Sequence, residues 1–288
     1  MCTPARRRSR VFVPYTLSLP LLILISAFFF LPILMLAASS FVVGTAENGR
    51  RFTSDIYWTL LSDRYTTALI FRTIKLSGIS TLASLLIAFP VALHLRQMTT
   101  RWRSIVTLIL LSPMLTSVVV RTLAWVILLG PKGIINNALV FVGLQPLRLI
   151  YNEIGIGIGL THVFLGYMVL ALMTSVSKID ENLILAASNL GASRWHIIAK
   201  IIIPLSLPGV VAGSILVFTM AASTYATPVL LGGSSVKVMA AEIYDRAINY
   251  IEFSEAAALS VILFAIIAAV VYLGTRLAER GRGKVIFQ

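Results

Sequence analysis

Hydrophobic residues occur along this chain in six long blocks, and most charged residues lie in the segments between them. Each block is close to the about 20 residues that a helix needs to cross the hydrocarbon of a bilayer. The first block exceeds the usual core of an export signal, which predicts a retained span. The pattern predicts an all-α membrane protein, one domain over 1–288, with spans at 17–38, 76–95, 105–129, 154–176, 209–231 and 256–273 and a short interfacial helix at 55–62.

Composition leads to the same class. Hydrophobic residues make up 58% of the chain, charged residues make up 12%, and the mean hydropathy is +0.92. These values lie far from the averages of soluble domains, whose cores could not bury so much apolar surface. Cys2 is the only cysteine, so a disulfide or a cysteine metal cluster within the chain is excluded.

Basic residues are distributed unevenly between the two sets of polar segments. Six crossings place both chain ends on one side together with 96–103 and 177–208, and these segments hold fourteen of the 24 Lys and Arg residues, including those at 6–10. Segments expected on the other side hold seven. The positive-inside rule predicts that both termini and segment 177–208 are cytoplasmic. The net charge of +13 therefore indicates topology rather than nucleic-acid binding.

Segment 177–208 is too polar for lipid, and it carries the pattern of two short helices. Ser177, followed three residues later by Asp180, predicts a capped helix start. One face of this first helix is then apolar, at Leu183, Ala186, Ala187 and Leu190. Such a helix, small and apolar on one side, suits a groove in a partner protein.

Gly191 stands where the first helix would end in the left-handed conformation, and Ser193 is suited to capping a second helix. Trp195, Ile198, Ile201 and Ile202 would form the apolar face of that helix, and Pro204 and Pro208 are expected to interrupt it. The prediction is a helix, a glycine hinge, a second helix and a proline stop.

The same residues resemble the cytoplasmic coupling loop of ATP-binding-cassette (ABC) importer permeases. The family pattern is Glu-Ala-Ala, three residues, Gly, nine residues, Ile, one residue and Leu-Pro. Ala186, Ala187, Gly191, Ile201 and Pro204 match it. Leu185 replaces the Glu of the pattern and Ile203 replaces its Leu, and Glu181, one turn earlier, is a candidate to substitute for the lost charge.

The resemblance extends over most of the chain to the polyamine, opine and phosphonate branch of these permeases, and within it to the first permease subunit of spermidine/putrescine-type importers. The stretches that carry it are 120–125, 128–130, 133–137 and 227–233. This resemblance implies a six-helix type I importer fold in a bacterial-type inner membrane, with the permease core at about 68–276. It also implies a second permease subunit in a heterodimer, an ATPase dimer that binds ATP and Mg, an extracytoplasmic solute-binding protein, and polyamine-like solutes.

Catalytic chemistry is not expected on this chain. His94, His162 and His196 are scattered over different elements, and neither a metalloprotease motif nor a phosphate-binding glycine loop ending in Lys-Ser or Lys-Thr occurs. We therefore expect no catalytic residue, no metal site and no bound cofactor, and ATP hydrolysis is expected on the partner subunit.

The expected solute pathway includes Ser223, Thr224, Tyr225 and Thr227 in the fifth span. Related polyamine permeases often have an acidic residue where this chain has Thr224, and no Asp or Glu lies deep in any predicted span. Arg121 lies within the third span, where a pathway role and snorkelling to the outer interface are equally compatible with the sequence. An anionic or zwitterionic solute, such as an opine or a phosphonate, therefore stays an alternative.

Two other classes share this hydropathy. An ion-coupled secondary transporter would need carboxylates or histidines near the bilayer midplane, and the spans offer no such site. A non-transporting membrane subunit would have no use for the patterned segment 177–208.

Overall fold

The computed structural model describes residues 12–43 and 51–285, with side chains over 19–42 and 51–276. The predicted basic cluster at 6–10 and Cys2 lie outside the described residues. The elements, in chain order, are α1 Phe12–Ser39, β1 Val42–Val43, β2 Arg51–Phe52, α2 Asp55–Ser62, α3 Arg64–Gln97, α4 Thr100–Leu115, α5 Val118–Leu129, α6 Ile134–Phe141, α7 Glu153–Val176, α8 Glu181–Asn189, α9 Arg194–Ile197, a π-helical turn Ile198–Ile202, α10 Ile203–Ser223, α11 Ala226–Gly232, α12 Met239–Tyr244, a second π-helical turn Asp245–Asn249, and α13 Phe253–Val285.

The predicted all-α fold with six membrane spans is confirmed. Six helical stretches are long and apolar enough to cross a bilayer, namely Leu19–Ser39, Arg64–Gln97, Val118–Phe141, Glu153–Val176, Arg194–Ser223 and Phe253–Arg276. The predicted interfacial helix is also present as α2. β1 and β2 form one small antiparallel pair after the first span.

Helix α7 is the centre of the bundle and packs against both α3 and α10. It runs antiparallel to α3, because Lys75 bonds Glu153 at the start of α7 and Arg96 bonds Ile179 just beyond its end. Leu160, Met168, Val169 and Leu172 of α7 are almost completely buried. In contrast, the part of α1 from Leu19 to Ser39 has no buried residue, and α1 contacts the bundle through α13.

Glycines let the central helices approach closely. A Cβ added at Gly209 would lie 2.9 Å from the Ala171 carbonyl oxygen, and one at Gly213 would lie 2.7 Å from the Met168 sulfur. Both glycines face α7 from α10. Gly159 of α7 likewise allows a close approach of Leu231 of α11.

The third crossing is not the continuous helix predicted at 105–129. The predicted range is broken at Thr116 and Ser117 between α4 and α5, and the apolar stretch of membrane length, Val118–Phe141, begins only after this break. Pro113 has no N–H to donate to the carbonyl of Ile109, and the Ser112 hydroxyl donates to that carbonyl instead, at 2.8 Å. Hydroxyl groups thus supply hydrogen bonds that the backbone ladder lacks within the membrane.

The fifth span predicted at 209–231 also differs from the structure. The helix starts earlier, since α9, the first π-helical turn and α10 are continuous over 194–223, and it stops at Thr224, whose backbone is extended at ψ 137°. Pro228 cannot donate to the Thr224 carbonyl, which favours a break at this position. The chain becomes helical again in α11.

We predict that Gly166→Ala destabilises the protein by about 1–3 kcal/mol, because an added Cβ would lie 2.7 Å from the Leu110 carbonyl oxygen of α4. Gly157→Ala in the same helix is the matched control, since no atom lies within 4 Å of its added Cβ. Thermal unfolding in detergent should show a lower midpoint for the first variant and no decrease for the second. Equal midpoints would contradict the packing explanation.

Candidate coupling and translocation sites

The coupling segment is defined as residues 177–208. Its first helix, α8, starts one turn later than predicted. Ser177 ends α7, and Asp180 is the residue that caps α8, its carboxylate accepting a hydrogen bond from the Asn182 N–H at 2.9 Å. The capping box expected to start at Ser177 is therefore wrong. The prediction fails because α7 continues to Val176, and the Ser177 hydroxyl still donates to the Met173 carbonyl of that helix.

Apolar side chains of α8 are divided between two faces. Ile184 and Ala187 pack inward, against a cluster formed by Ile179, Ile197 and Ile202. The other predicted face residues point away from the bundle: Leu183, Ala186 and Leu190 are exposed, as is Trp195 of α9. Leu190 and Trp195 are 89% and 81% exposed. This outward set, Leu183, Ala186, Leu190 and Trp195, is called the coupling face below.

The turn between α8 and α9 has the predicted geometry. Gly191 has a φ of +83°, a left-handed conformation that side chains other than glycine rarely adopt. Ser193 caps α9 and accepts a hydrogen bond from the His196 N–H at 3.3 Å. The glycine turn and the second cap are therefore confirmed.

The second helix is not interrupted by its prolines, contrary to the prediction. Pro204 is accommodated at the start of α10, directly after the π-helical turn, in which the Ile203 N–H bonds the Ile198 carbonyl. The wider turn relieves the clash that a proline ring makes with the preceding turn of an α-helix. Pro208 lies inside α10, and the coupling segment continues directly into the fifth span.

The remaining predicted coupling residues occupy different environments. Ile201 packs into the inward cluster, and Pro204 is half-buried at the junction with the fifth span. Glu181 and Leu185 are both exposed on α8. Their exposure leaves them available to a partner.

The predicted pathway residues of the fifth span lie around its break. Ser223 is the last residue of α10, and its hydroxyl donates to the Thr219 carbonyl at 2.9 Å. Thr224 and Tyr225 form the break, and the Tyr225 ring lies 4.5 Å from that of Tyr244, measured between centroids. Thr227 is buried in α11, with its hydroxyl 3.4 Å from that of Thr122. The structure thus brings the third and fifth crossings together where both are broken.

Arg121 is buried, with 8% of its surface exposed. Its guanidinium donates to the Pro113 carbonyl across the break in the third crossing, and its Nε atom has no hydrogen-bond partner among the described residues. A cation is favourable at this place, because the C-terminal end of α4 carries the negative end of the helix dipole. Arg121 therefore holds the end of α4 against α5.

A groove of about 730 Å³ runs between α3, α5 and α7. Its walls are mainly apolar, with Lys75 and Glu153 at one end and Trp125, Thr161 and His162 in its wall. Trp125 donates from its indole N–H to His162 Nδ1 at 3.1 Å. The sequence contained a signal for Trp125, which belongs to the 120–125 stretch, whereas nothing in the pattern singled out Thr161 or joined His162 to the groove.

At the end of the bundle opposite the coupling segment, an ion-pair network ties α3, α12 and α13 together. The buried Glu242 carboxylate accepts hydrogen bonds from the Tyr65 hydroxyl at 2.8 Å and from Arg246 at 3.0 Å. Lys237 bonds Asp245 at 2.7 Å, and this hydrogen bond raises the pKa of the lysine ammonium. The sequence showed these charges without indicating that they meet.

The family-like stretches converge in space. The 120–125 and 227–233 stretches belong to α5 and α11, which pack together, and Asn136 of the 133–137 stretch is buried beside them. Asn136 donates to the Gly130 and Leu147 carbonyls, both at 3.0 Å, and accepts from the Leu147 N–H at 2.8 Å. These stretches therefore build one structural unit around the two broken crossings.

The chain is similar in sequence to permease proteins of known transport systems. The spermidine/putrescine transport system permease protein PotB of Escherichia coli strain K12 is 32% identical over 240 residues, which is 82% of this chain and 87% of the relative. PotB of Haemophilus influenzae is 29% identical over 260 residues, which is 88% of this chain and 91% of the relative. The chain belongs to the PotB-type family of ABC importer permeases. No protein-family model matches the chain.

A solved structure with the same fold is a bacterial alginate ABC transporter in complex with an alginate pentasaccharide-bound periplasmic protein. Its permease chain is 20% identical and aligns with a TM-score of 0.78 over 94% of this chain and 95% of its own length. This protein is thus a multi-pass permease subunit of an ABC importer, and ATP hydrolysis lies on a separate subunit. Within 51–276 and the described part of the first span, no group of three or more His, Cys, Asp or Glu side chains could hold a metal ion.

We predict an order of stability at position 191 of Gly, then Asn, then Ala, then Val. Since no atom lies within 4 Å of an added Cβ, the left-handed backbone alone sets the cost, which is about 1–2 kcal/mol for an ordinary side chain. Asn tolerates this conformation best among the three replacements, and a branched Cβ tolerates it least. Thermal unfolding midpoints of the four proteins would measure the order, and a midpoint for Val equal to that for Gly would contradict it.

Proposed function

We propose that this permease pairs with a second, different permease subunit and imports polyamine-like solutes, driven by an ATPase dimer and supplied by an extracytoplasmic binding protein. The whole chain acts as one membrane domain, with its permease core at about 68–276. Family membership carries the proposal, since two curated relatives that cover most of the chain are named for spermidine and putrescine transport.

In this proposal the coupling segment and both chain ends are cytoplasmic. The charge bias of the polar segments supports this orientation. The coupling face, which includes Ala186, then meets the ATPase, and Glu181 is exposed on the same helix. The other coupling residues of the family pattern, Ala187, Gly191, Ile201 and Pro204, support this face from within the segment. Exposed Trp and Leu side chains on a short helix pair are what a groove in a partner would bury.

The solute pathway is proposed to pass the break in the fifth span. Ser223, Thr224, Tyr225 and Thr227 supply hydroxyl groups and an aromatic ring there, and Arg121 holds the neighbouring break. Tyr225 and Tyr244 together offer an aromatic surface, which attracts ammonium groups through their π faces. This surface supports a polyamine.

One observation favours a second candidate, an anionic or zwitterionic solute such as an opine or a phosphonate. Among the six helical stretches that could span the membrane, Asp and Glu occur only at Glu153 and Glu255, each in the first turn of its helix. Arg121 is a buried cation with no carboxylate partner among the described residues. A solute carboxylate or phosphonate would complement it if the break opened.

The test is uptake into proteoliposomes that contain the chain with its second permease, ATPase and binding protein. ATP-dependent uptake of labelled spermidine, reduced by unlabelled putrescine and unaffected by a phosphonate, is the expected result. Uptake of the phosphonate or of an opine in place of spermidine would favour the second candidate. Absence of ATP-dependent uptake of all three solutes would refute both.

We predict that Arg121→Gln lowers the thermal unfolding midpoint, because the Pro113 carbonyl loses a charged donor, a contact worth about 1.5–3 kcal/mol. With a polyamine as solute, KM should change less than twofold. A rise of tenfold or more in KM for an anionic solute would show that the guanidinium contacts the solute and would support the second candidate.

We predict that Trp195→Ala weakens binding of the ATPase to the permease at least tenfold, since a buried Trp at an interface typically contributes about 2 kcal/mol or more. Leu86→Ala in α3 is the matched control, because Leu86 is exposed on the bundle away from the coupling face. Titration of the ATPase onto the reconstituted permease measures both. Equal affinities for the two variants would exclude Trp195 from the interface.

A further inference from the structure

Two arginines at the coupling end of the bundle bind backbone carbonyls instead of carboxylates. Arg96, in the last turn of α3, donates from Nη2 to the Ile179 carbonyl at 2.7 Å. Arg103, in the first turn of α4, donates to three carbonyls, those of Leu95 at 3.1 Å, Arg96 at 3.0 Å and Met98 at 3.3 Å. The last carbonyls of a helix have no partner within it, so Arg103 closes the end of α3.

The acceptor of Arg96 lies at the entrance to the coupling segment. Ile179 directly precedes Asp180, which caps α8, and the Ile179 side chain is 7% exposed among Ile197 and Ile202. Its carbonyl is therefore fixed with respect to α8 on one side and bonded to α3 on the other. Since Arg103 in turn holds the Arg96 backbone, the link between α3 and α8 is supported at both ends.

This link differs from the apolar contacts around it. Phe89 and Leu93 of α3 also touch the inward cluster of the coupling segment, but apolar contacts are non-directional and permit sliding. A charge-assisted hydrogen bond fixes distance and direction. Helix α3 packs against α7 and α10, and Leu76, Ile79 and Ile87 on it line the groove. Any displacement of α8 that Arg96 transmits thus reaches the groove through the second span.

We propose that Arg96 is a positioning residue that makes α8 and the second span move together, so that movement of the ATPase reaches the groove. The proposal rests on the coupling role of segment 177–208 given above. It adds a residue outside that segment, and it assigns the second span as the recipient of the movement.

The first experiment measures solute taken up per ATP hydrolysed in proteoliposomes that contain the whole complex. Arg96→Gln should leave assembly and basal ATP hydrolysis within twofold of wild type and lower the solute-to-ATP ratio at least fivefold. Arg96→Lys keeps a cationic donor and should give an intermediate ratio. Arg101→Gln is the matched control, because Arg101 is exposed at the same end and has no hydrogen bond or ion pair among the described residues.

A second experiment applies even if Arg96→Gln impairs assembly. Spin labels at Gln97 and Asn182, both exposed, in a Cys2→Ser background report the distance between α3 and α8 in the wild-type complex and in the variant. One narrow distance, unchanged when ATP is trapped, is expected in wild type, together with a broadened distribution in Arg96→Gln. A wild-type distance that shifts on ATP trapping would overturn the proposal, as would an unchanged solute-to-ATP ratio in Arg96→Gln.

Failure of this proposal can be distinguished from failure of the proposed function. If wild-type complex takes up none of the tested solutes, the proposed function is wrong, whereas the label distances still decide whether α3 and α8 are linked. If wild type transports and Arg96→Gln transports with the same ratio, only the role of Arg96 is wrong.

Discussion

Carbonyl oxygens at the ends of broken helices are the constraint on which this structure depends. Inside a bilayer no water is available to a carbonyl that has lost its helical partner, so protein groups have to satisfy it. At the end of α4, Ser112 and Thr116 bond the carbonyls of Ile109 and Ser112, and Arg121 bonds that of Pro113. At the coupling end, Arg103 bonds carbonyls at the end of α3, and Arg96 bonds the Ile179 carbonyl between α7 and α8. Guanidinium groups suit this role because each carries several donors in fixed directions.

The breaks these donors stabilise lie where the family-like stretches converge. Helices α5 and α11, which follow the breaks in the third and fifth crossings, pack together, and Thr122 meets Thr227 between them. Continuous helices would bury their polar backbone and leave only side chains to face a solute. At the break in the fifth crossing, the Tyr225 ring packs on the Tyr244 ring, 4.5 Å away between centroids, and in the proposed function this aromatic pair contacts the solute.

Much of the fold was predictable from the sequence, because membrane spans depend on long apolar blocks and the coupling turn depends on local signals. Gly191, Ser193 and the short helix α2 follow directly from such signals. The breaks could not be placed in this way, since Pro113, Pro204, Pro208 and Pro228 look alike in sequence. Only Pro113 and Pro228 precede or follow a break, because the π-helical turn accommodates Pro204 and Pro208 lies inside α10.

Candidate site residues were predictable where a local pattern marks them and were not predictable where a distant contact defines them. Positions that match a family pattern were identifiable, whereas the pairing of Trp125 with His162 and of Arg96 with Ile179 joins residues 37 and 83 positions apart. For Arg96 the acceptor is a backbone carbonyl, which leaves no trace in the side-chain pattern. Arg121 likewise bonds a backbone group: a buried arginine in a membrane is expected to contact an anion, yet a helix C-terminus offers a negative dipole and a free carbonyl. Stability of the break and recognition of a solute are therefore separable roles of one guanidinium: one of its five N–H groups bonds the Pro113 carbonyl, and the others decide whether it has the second role.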